Sequence, residues 1–378
     1  MELFFICFSA GACFFLSLIL FFQPYKQNIK ANRWLSMYIL VMGISFIGFY
    51  LQVSITDESK GYITEWVNSF QFLLGPLIYI SILFFVYPRM AFGRNKWFHF
   101  LPFLLISPLE LIFLLRYQGD QTISLMAVSY CVSIFQNLPP FQFLIYILFS
   151  FRALLRHRKK LMLISSSIEE INLNWLKNFL IVLLFLTAFW FNNLFVESPV
   201  LKEIRPFVYT VSIFIVGFYA IKQKTIFQKS GEHTEGISEI IESDPENEPA
   251  KLKRLKDVEL NELAVRLKVL LEEEKIFLDN ELNLAKVASK LSCNVHDTSY
   301  LINAVAGDNF YNYINKHRVE EAKKLLLSEK EKELNILGIA FESGFNSKTA
   351  FNTSFKKFTG LSPTQFIKSN VVNSNEKK

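Results

Sequence analysis

Residues able to do chemistry fall in three groups along this chain. Residues 346–368 hold four Lys and no acid. At helical spacing Lys348, Asn352 and Lys356 share one face, with Ser347, Thr349 and Thr353 beside it, while Phe351, Phe355 and Phe358 at i, i+4, i+7 form the opposite, core-facing stripe. Cations interleaved with amides and hydroxyls on one helix face suit contacts to phosphates and to base edges. A second group, Asn294, His296, Ser299, Tyr300 and Asn303, lies opposite an inward face of Thr298, Leu301, Ile302 and Val305. That segment carries Asp297 and no Lys or Arg, so its reading would rest on neutral donors and acceptors. The third group, Glu110, Gln136, Asn137 and Asn192, with Gln52, Asn68, Gln71 and Asn193, sits near one end of long apolar runs. Polar groups there are costly and mark function by default. They predict either a pocket that binds a small ligand or a set of interfacial and helix-to-helix hydrogen bonds.

The remaining reactive side chains are dispersed. Cys7 and Cys13 are six apart and so on different helix faces, Cys131 and Cys293 are isolated, and His157, His233, His296 and His317 have no metal partner at ligand spacing. Neither GxxxxGK[ST] nor GxGxxG occurs. The expectation is a non-enzyme with no metal and no cofactor.

What must position these groups differs along the chain. Residues 1–221 contain 16 Lys+Arg and 10 Asp+Glu, about 12% charged, whereas residues 222–378 contain 24 of each, about 31%. Ordinary soluble domains are roughly a quarter charged, so the whole chain is not one soluble enzyme. Seven apolar runs, near 3–22, 34–55, 68–87, 98–115, 128–151, 175–195 and 205–221, each approach the roughly 20 residues that cross a bilayer. The fifth is interrupted by Pro139 and Pro140 and reads as one kinked helix. The first lacks a basic leader, having only Glu2 before Leu3, and reads as a retained helix. With the N-terminus outside, 14 Lys and Arg fall in inner segments, among them Lys26, Arg89, Arg152 and Lys222, against four outside, Lys60, Arg116, Lys202 and Arg205. Basic residues stay on the cytoplasmic side, so this bias predicts N-outside, C-inside.

Residues 226–250 read as an acidic, flexible tether. The connecting helix expected over 251–279 carries Leu260, Leu263, Leu267 and Leu270, a short seam that would either pair two copies or pack on its own domain. Two helix-turn-helix units follow over 280–370, ahead of a disordered tail at 371–378. In the first, helices over 284–291 and from the cap Asn294 to Gly307 flank a turn at Ser292 and Cys293. In the second, a helix from Ile336 stops at Gly344, Asn346 or Ser347 caps the next, and Gly360 ends it. Ser362, Pro363 and Gln365 open a last helix with a capping box. A helix over 310–328 joins the two units, long enough to set both recognition helices on one face of a duplex. The fold expected is all-α: a seven-helix transmembrane bundle over 1–225 followed by a cytoplasmic double helix-turn-helix domain.

Here the sequence resembles the AraC/XylS family of transcriptional regulators. The resemblance covers roughly residues 280–370 and is carried by Ile339 and Ala340, Ser343 to Phe345, Ser347, Phe351, Phe355 to Gly360, Ser362 and Pro363. The first unit matches through Leu284, Ala285, Ser299, Gly307, Phe310, Tyr313, Arg318, Ala322 and Leu325, and departs where Thr298 replaces a usual Leu and Asp297 enters the recognition helix. The resemblance implies binding to double-stranded DNA. The apolar part is similar in architecture to the membrane sensors that some members carry. Together they imply a one-component transcription factor of the bacterial inner (cytoplasmic) membrane, in contact with lipid and an unknown small-molecule or membrane-derived signal, with a homodimer as one arrangement. The competing expectation is a receptor or transporter whose C-terminal domain binds a protein.

Overall fold

The computed structural model describes residues 2–22, 28–54, 61–117, 135, 137–168, 173–195, 199–222, 257–328 and 334–375. The expected acidic tether lies outside them, as does the first part of the fifth apolar run up to residue 134. Among the described residues the fold is all-helical, its single β-bridge joining Ser165 and Asn283. The chain forms two compact units, residues 1–155 with 173–225, and residues 156–172 with 226–378.

The first unit holds the helices α1 (Glu2–Phe22), α2 (Ile29–Ser54), α3 (Gly61–Ser69), α4 (Leu74–Val86), α5 (Leu101–Tyr117), α7 (Asn174–Phe195) and α8 (Pro199–Lys222), and α6 (Pro139–Ile164) as far as Leu155. Among the described residues four segments are long and apolar enough to cross a membrane: Leu3–Phe22, Ile29–Ser54, Ile63–Val86 and Asn174–Phe191. Phe207–Ile221 is a shorter apolar helix. The third run is not one regular helix, since a 3-10 turn, Phe70–Leu73, separates α3 from α4. Of the fifth run the described part begins at Pro139 and Pro140, which occupy the first turn of α6, where a missing N–H costs nothing; the kink expected there falls against residues outside the described ones.

Apolar residues pave both sides of these helices. Ile6, Leu20, Leu35, Ile78, Leu176 and Leu180 are buried, yet Phe4, Phe15, Phe22, Leu105, Phe185 and Phe207 are exposed. Polar pairs lock helix to helix inside. The Ser17 and Ser36 hydroxyls lie 3.1 Å apart, and Ser81 donates to the Ala31 carbonyl at 2.9 Å. Gly75 allows α4 to approach Tyr146, whose ring a Cβ there would meet at 2.5 Å.

In the second unit α9 (Asp257–Glu272) leads into α10 (Leu284–Leu291), α11 (Val295–Ala306), α12 (Phe310–Leu326), α13 (Ile336–Glu342), α14 (Lys348–Thr359) and α15 (Pro363–Asn375). Local chemistry starts and stops each. The Asn283, Asn294, Asn309, Asn335 and Ser347 side chains accept from the backbone N–H three residues on. Gly307 and Gly360 end α11 and α14 with positive φ. Ser362 and Gln365 form the reciprocal capping box at α15. Leu267 and Leu270 of the α9 seam are buried within this unit, while Leu260 and Leu263 are half-buried.

Candidate nucleic-acid interface, a buried arginine node and a polar cavity

The second helix-turn-helix is built on Ile339, Ala340, Phe345, Ala350, Phe351 and Phe355, all buried and packed on Val319, Ala322 and Leu326 of α12. Phe358 packs partly against them. With that stripe inward, Lys348, Thr349, Asn352, Thr353 and Lys356 are exposed on α14. Ser347 is half-buried, its hydroxyl taken by the Ala350 N–H at 3.1 Å. A concave face brings Lys348, Asn352 and Lys356 together with Asn335, Thr364 and Lys368. Lys368 and Thr364, on α15, and Asn335, before α13, were not among the residues predicted. A third lysine converging from another helix was the signal, and only the packing of α15 reveals it.

In the first helix-turn-helix His296 and Asn303 are exposed and Ser299 and Tyr300 half-exposed on α11. Asn294 is exposed, but its side chain caps the helix, taking the Asp297 N–H at 2.8 Å and donating to the Asp297 carboxylate. Thr298 and Leu301 are fully buried and Ile302 nearly so, as expected, whereas Val305 points outward at 47% exposure. It lies one turn past Leu301, near the Gly307 stop, where the helix leaves the core. Thr298 is accommodated because its hydroxyl donates to the Asn294 carbonyl at 2.9 Å and sits 3.0 Å from Cys293 Sγ. Lys286 and Lys290 of α10 are engaged in ion pairs with Asp279 at 2.7 Å and Glu274 at 2.8 Å.

Between the two helix-turn-helix motifs in the chain, Arg318 of α12 is fully buried. Its Nε donates to the Phe277 carbonyl at 2.7 Å. Nη1 donates to the Ser166 carbonyl and to Asn315 Oδ1, each at 3.2 Å, and Nη2 to Ser166 Oγ at 3.0 Å and the Asp279 carbonyl at 2.7 Å. All five guanidinium donors are thereby used. Ser166 in turn donates its hydroxyl to the Leu282 carbonyl at 2.6 Å, and Ser167 donates to the Asn280 carbonyl at 2.8 Å. Sequence reasoning named Arg318 only through the family pattern and missed Ser166, which no local motif marks.

In the first unit a cavity of about 330 Å³ gathers Gln52, Asn68, Gln71, Glu110 and Asn137, five of the polar residues singled out in the apolar runs. Gln136 lies outside the described residues, and for Asn192 the structure describes only its place in α7. Ser69, Thr187, Tyr209 and Trp190 also line it and were not predicted, being unremarkable in an apolar helix. Gln71 Nε2 donates to Asn68 Oδ1 at 3.4 Å. Glu110 is 6% exposed, and its Oε2 is buried without a hydrogen-bond partner among the described residues.

Two helix-turn-helix units joined by the Arg318-bearing strut, the second with a lysine face on α14, make the C-terminal unit a helix-turn-helix domain. Residues 287–369 match a family model described as a helix-turn-helix domain. Over 120 residues the chain is 31% identical to an uncharacterised HTH-type transcriptional regulator in the cgkA 5′ region of Pseudoalteromonas carrageenovora. That stretch is 31% of this chain and 66% of the relative, just under two thirds of its length. No solved structure matches the chain.

Proposed function

We propose that the chain is a membrane-embedded one-component transcription factor: the first unit sits in the cytoplasmic membrane with its N-terminus outside and binds a signal, and the second reads DNA through both helix-turn-helix units. The supporting observation is the exposed apolar surface of the first unit joined in one chain to the lysine face of α14. Side chains such as Phe4, Phe15, Phe185 and Phe207 would be costly in water and are at home in lipid. The 14-to-4 distribution of basic residues supports the orientation. Seven spans deliver the parity that orientation needs, with α5, α6 and α8 supplying those beyond the four longest apolar segments.

On the DNA side, α12 has 17 residues, about 25 Å at 1.5 Å per residue, and joins α11 to the second unit. Successive major-groove segments on one face of a duplex are about 34 Å apart, so a strut of this length with a recognition helix at each end fits two of them. DNA contacts are assigned to Asn294, His296, Ser299, Tyr300, Asn303, Ser347, Lys348, Thr349, Asn352, Thr353 and Lys356. Burial of Leu267 and Leu270 within their own domain favours packing of the α9 seam in one copy over a coiled-coil dimer.

A protein-binding role for the C-terminal unit draws support from α11, which lacks Lys and Arg. The same experiment separates the two. The full chain in detergent, titrated with genomic duplex fragments recovered by cross-linking in cells, should bind with an affinity that falls steeply with salt. Recovery of no enriched sites, or salt-insensitive binding, would rule out the DNA-reading role.

A further inference from the structure

The cavity of the first unit is defined by what it lacks. Among the described residues that line it Glu110 is the one carboxylate, and none is Lys, Arg or His. A buried carboxylate oxygen without a donor is costly to keep, and the cost is relieved when a cation or a strong donor takes the place. Ser69 lies within hydrogen-bonding reach of the Glu110 carboxyl, and its hydroxyl also lies 2.6 Å from the Trp66 carbonyl, to which it donates. Glu65 of α3 is a second carboxylate within electrostatic reach. The described wall thus offers an entering cation carboxylate oxygen and no competing base.

Aromatic rings also line the cavity. Phe46 and Tyr209 meet edge to face at 6.2 Å, and Phe143 and Trp190 lie 6.1 Å apart. Ring faces attract organic cations, most strongly where water is excluded. Polar acceptors fill the remainder, with Asn68, Gln52 and Asn137 able to receive the extra N–H groups of an ammonium. At about 330 Å³ the space lies at the low end of small-molecule sites, roughly 300–1,000 Å³.

We propose that this cavity binds a small organic amine as its cation, the ammonium on Glu110 and the hydrocarbon or ring against Phe46, Tyr209 and Trp190. This rests on reading the first unit as a ligand-binding sensor and names the class of its ligand. The pairing is charge-assisted, so it discriminates strongly against a neutral isostere and rejects an anion.

The test uses the purified full chain in lipid nanodiscs, with binding followed by tryptophan fluorescence, Trp190 being in the wall. The probes are 2-phenylethylamine, its neutral analogue 2-phenylethanol and the anion phenylacetate. The amine should bind at least tenfold more tightly than the alcohol, and phenylacetate should not compete. Glu110→Gln should abolish the preference, whereas Glu110→Asp, which keeps the charge, should retain it and controls for folding. Equal affinity for amine and alcohol, or no amine binding at millimolar concentration, overturns the proposal. DNA occupancy measured on the same samples separates this from the sensor reading: amine binding that leaves occupancy unchanged would sink the sensor and leave the ligand class intact.

Discussion

Arg318 donates through both terminal nitrogens to Ser166, one bond to the carbonyl at 3.2 Å and one to Oγ at 3.0 Å, across 152 residues of sequence. The same guanidinium holds the carbonyls of Phe277 and Asp279, which lead into the first helix-turn-helix, and its face lies 5.8 Å from the Phe345 ring of the second. One cation thus ties the segment after α6, the entry to α10 and the core of the second unit. Removing a partner from such a node leaves buried donors unpaired, which costs more than the bond itself contributes.

Ser166→Ala removes the acceptor of an Arg318 N–H and the donor to the Leu282 carbonyl together. The expected loss is about 1–3 kcal/mol of stability in the C-terminal unit. Hydrogen exchange of the full chain should show faster exchange across residues 276–284 and little change in α1 or α2. Equal protection in the variant would show that the node does not hold this segment.

Gly344 ends the first helix of the second unit with φ +86°, and a Cβ there would meet the Phe277 carbonyl oxygen at 2.5 Å and Leu278 Cα at 2.8 Å. Backbone atoms cannot rotate aside as a flexible side chain can. Gly344→Ala should cost more than the roughly 1–2 kcal/mol of left-handed strain alone, because it also pushes on the carbonyl that Arg318 Nε holds. Thermal unfolding should show the loss. Gly307→Ala, also at positive φ but with open space around its Cβ, should cost only the strain.

These two sites show what a reading of the sequence can reach. The caps at Asn294 and Ser347 and the stops at Gly307, Gly344 and Gly360 are legible because each acts within four residues of itself. The structure even settles the choice between Asn346 and Ser347, since the Ser347 hydroxyl takes the Ala350 N–H. The polar residues Gln52, Asn68, Gln71, Glu110 and Asn137 were legible as anomalies in apolar runs, and composition alone flagged them. Their convergence on one cavity was not, because it depends on helix rotation. Ser166 was illegible: a serine in a short polar loop has no periodicity, and its partner lies in another part of the chain. The 3-10 turn at Phe70–Leu73 was hidden in the same way, inside a run whose hydropathy never falls.

Acid should loosen the C-terminal unit. The Lys275 ammonium, 2.8 Å from Glu321, holds that carboxyl below the ordinary glutamate range, with Lys324 adding to it against a smaller effect of burial. For Asp279 burial pushes upward, but the hydrogen bonds from Lys286 and the Glu281 N–H, with the Lys286 and Arg318 charges, together bring it below its usual value. A carboxyl depressed in the folded state contributes stability above its unfolded pKa, lost as pH falls through the folded one. Denaturation midpoints should therefore drop on acidification through and below the ordinary carboxylate range. Glu321→Gln should be less stable at neutral pH and show a shallower dependence.

The two lysine environments of this domain make opposite predictions for DNA binding. Lys356 is exposed on the face that also carries Lys348 and Lys368, where a phosphate can displace only water and counterions. Lys286 is already paired with the Asp279 carboxylate at 2.7 Å, so a phosphate would have to compete with that carboxylate. Each lysine that neutralises a phosphate steepens the salt dependence by about one unit in the log–log slope. Lys356→Ala should weaken binding uniformly across sequences and lower the slope by about 1, while Lys286→Ala should leave the slope unchanged and cost some stability instead. Slopes measured on the full chain between low and moderate salt decide it: equal reductions for both variants would mean that the ion pairs of α10 open on DNA and that the first unit grips the backbone too.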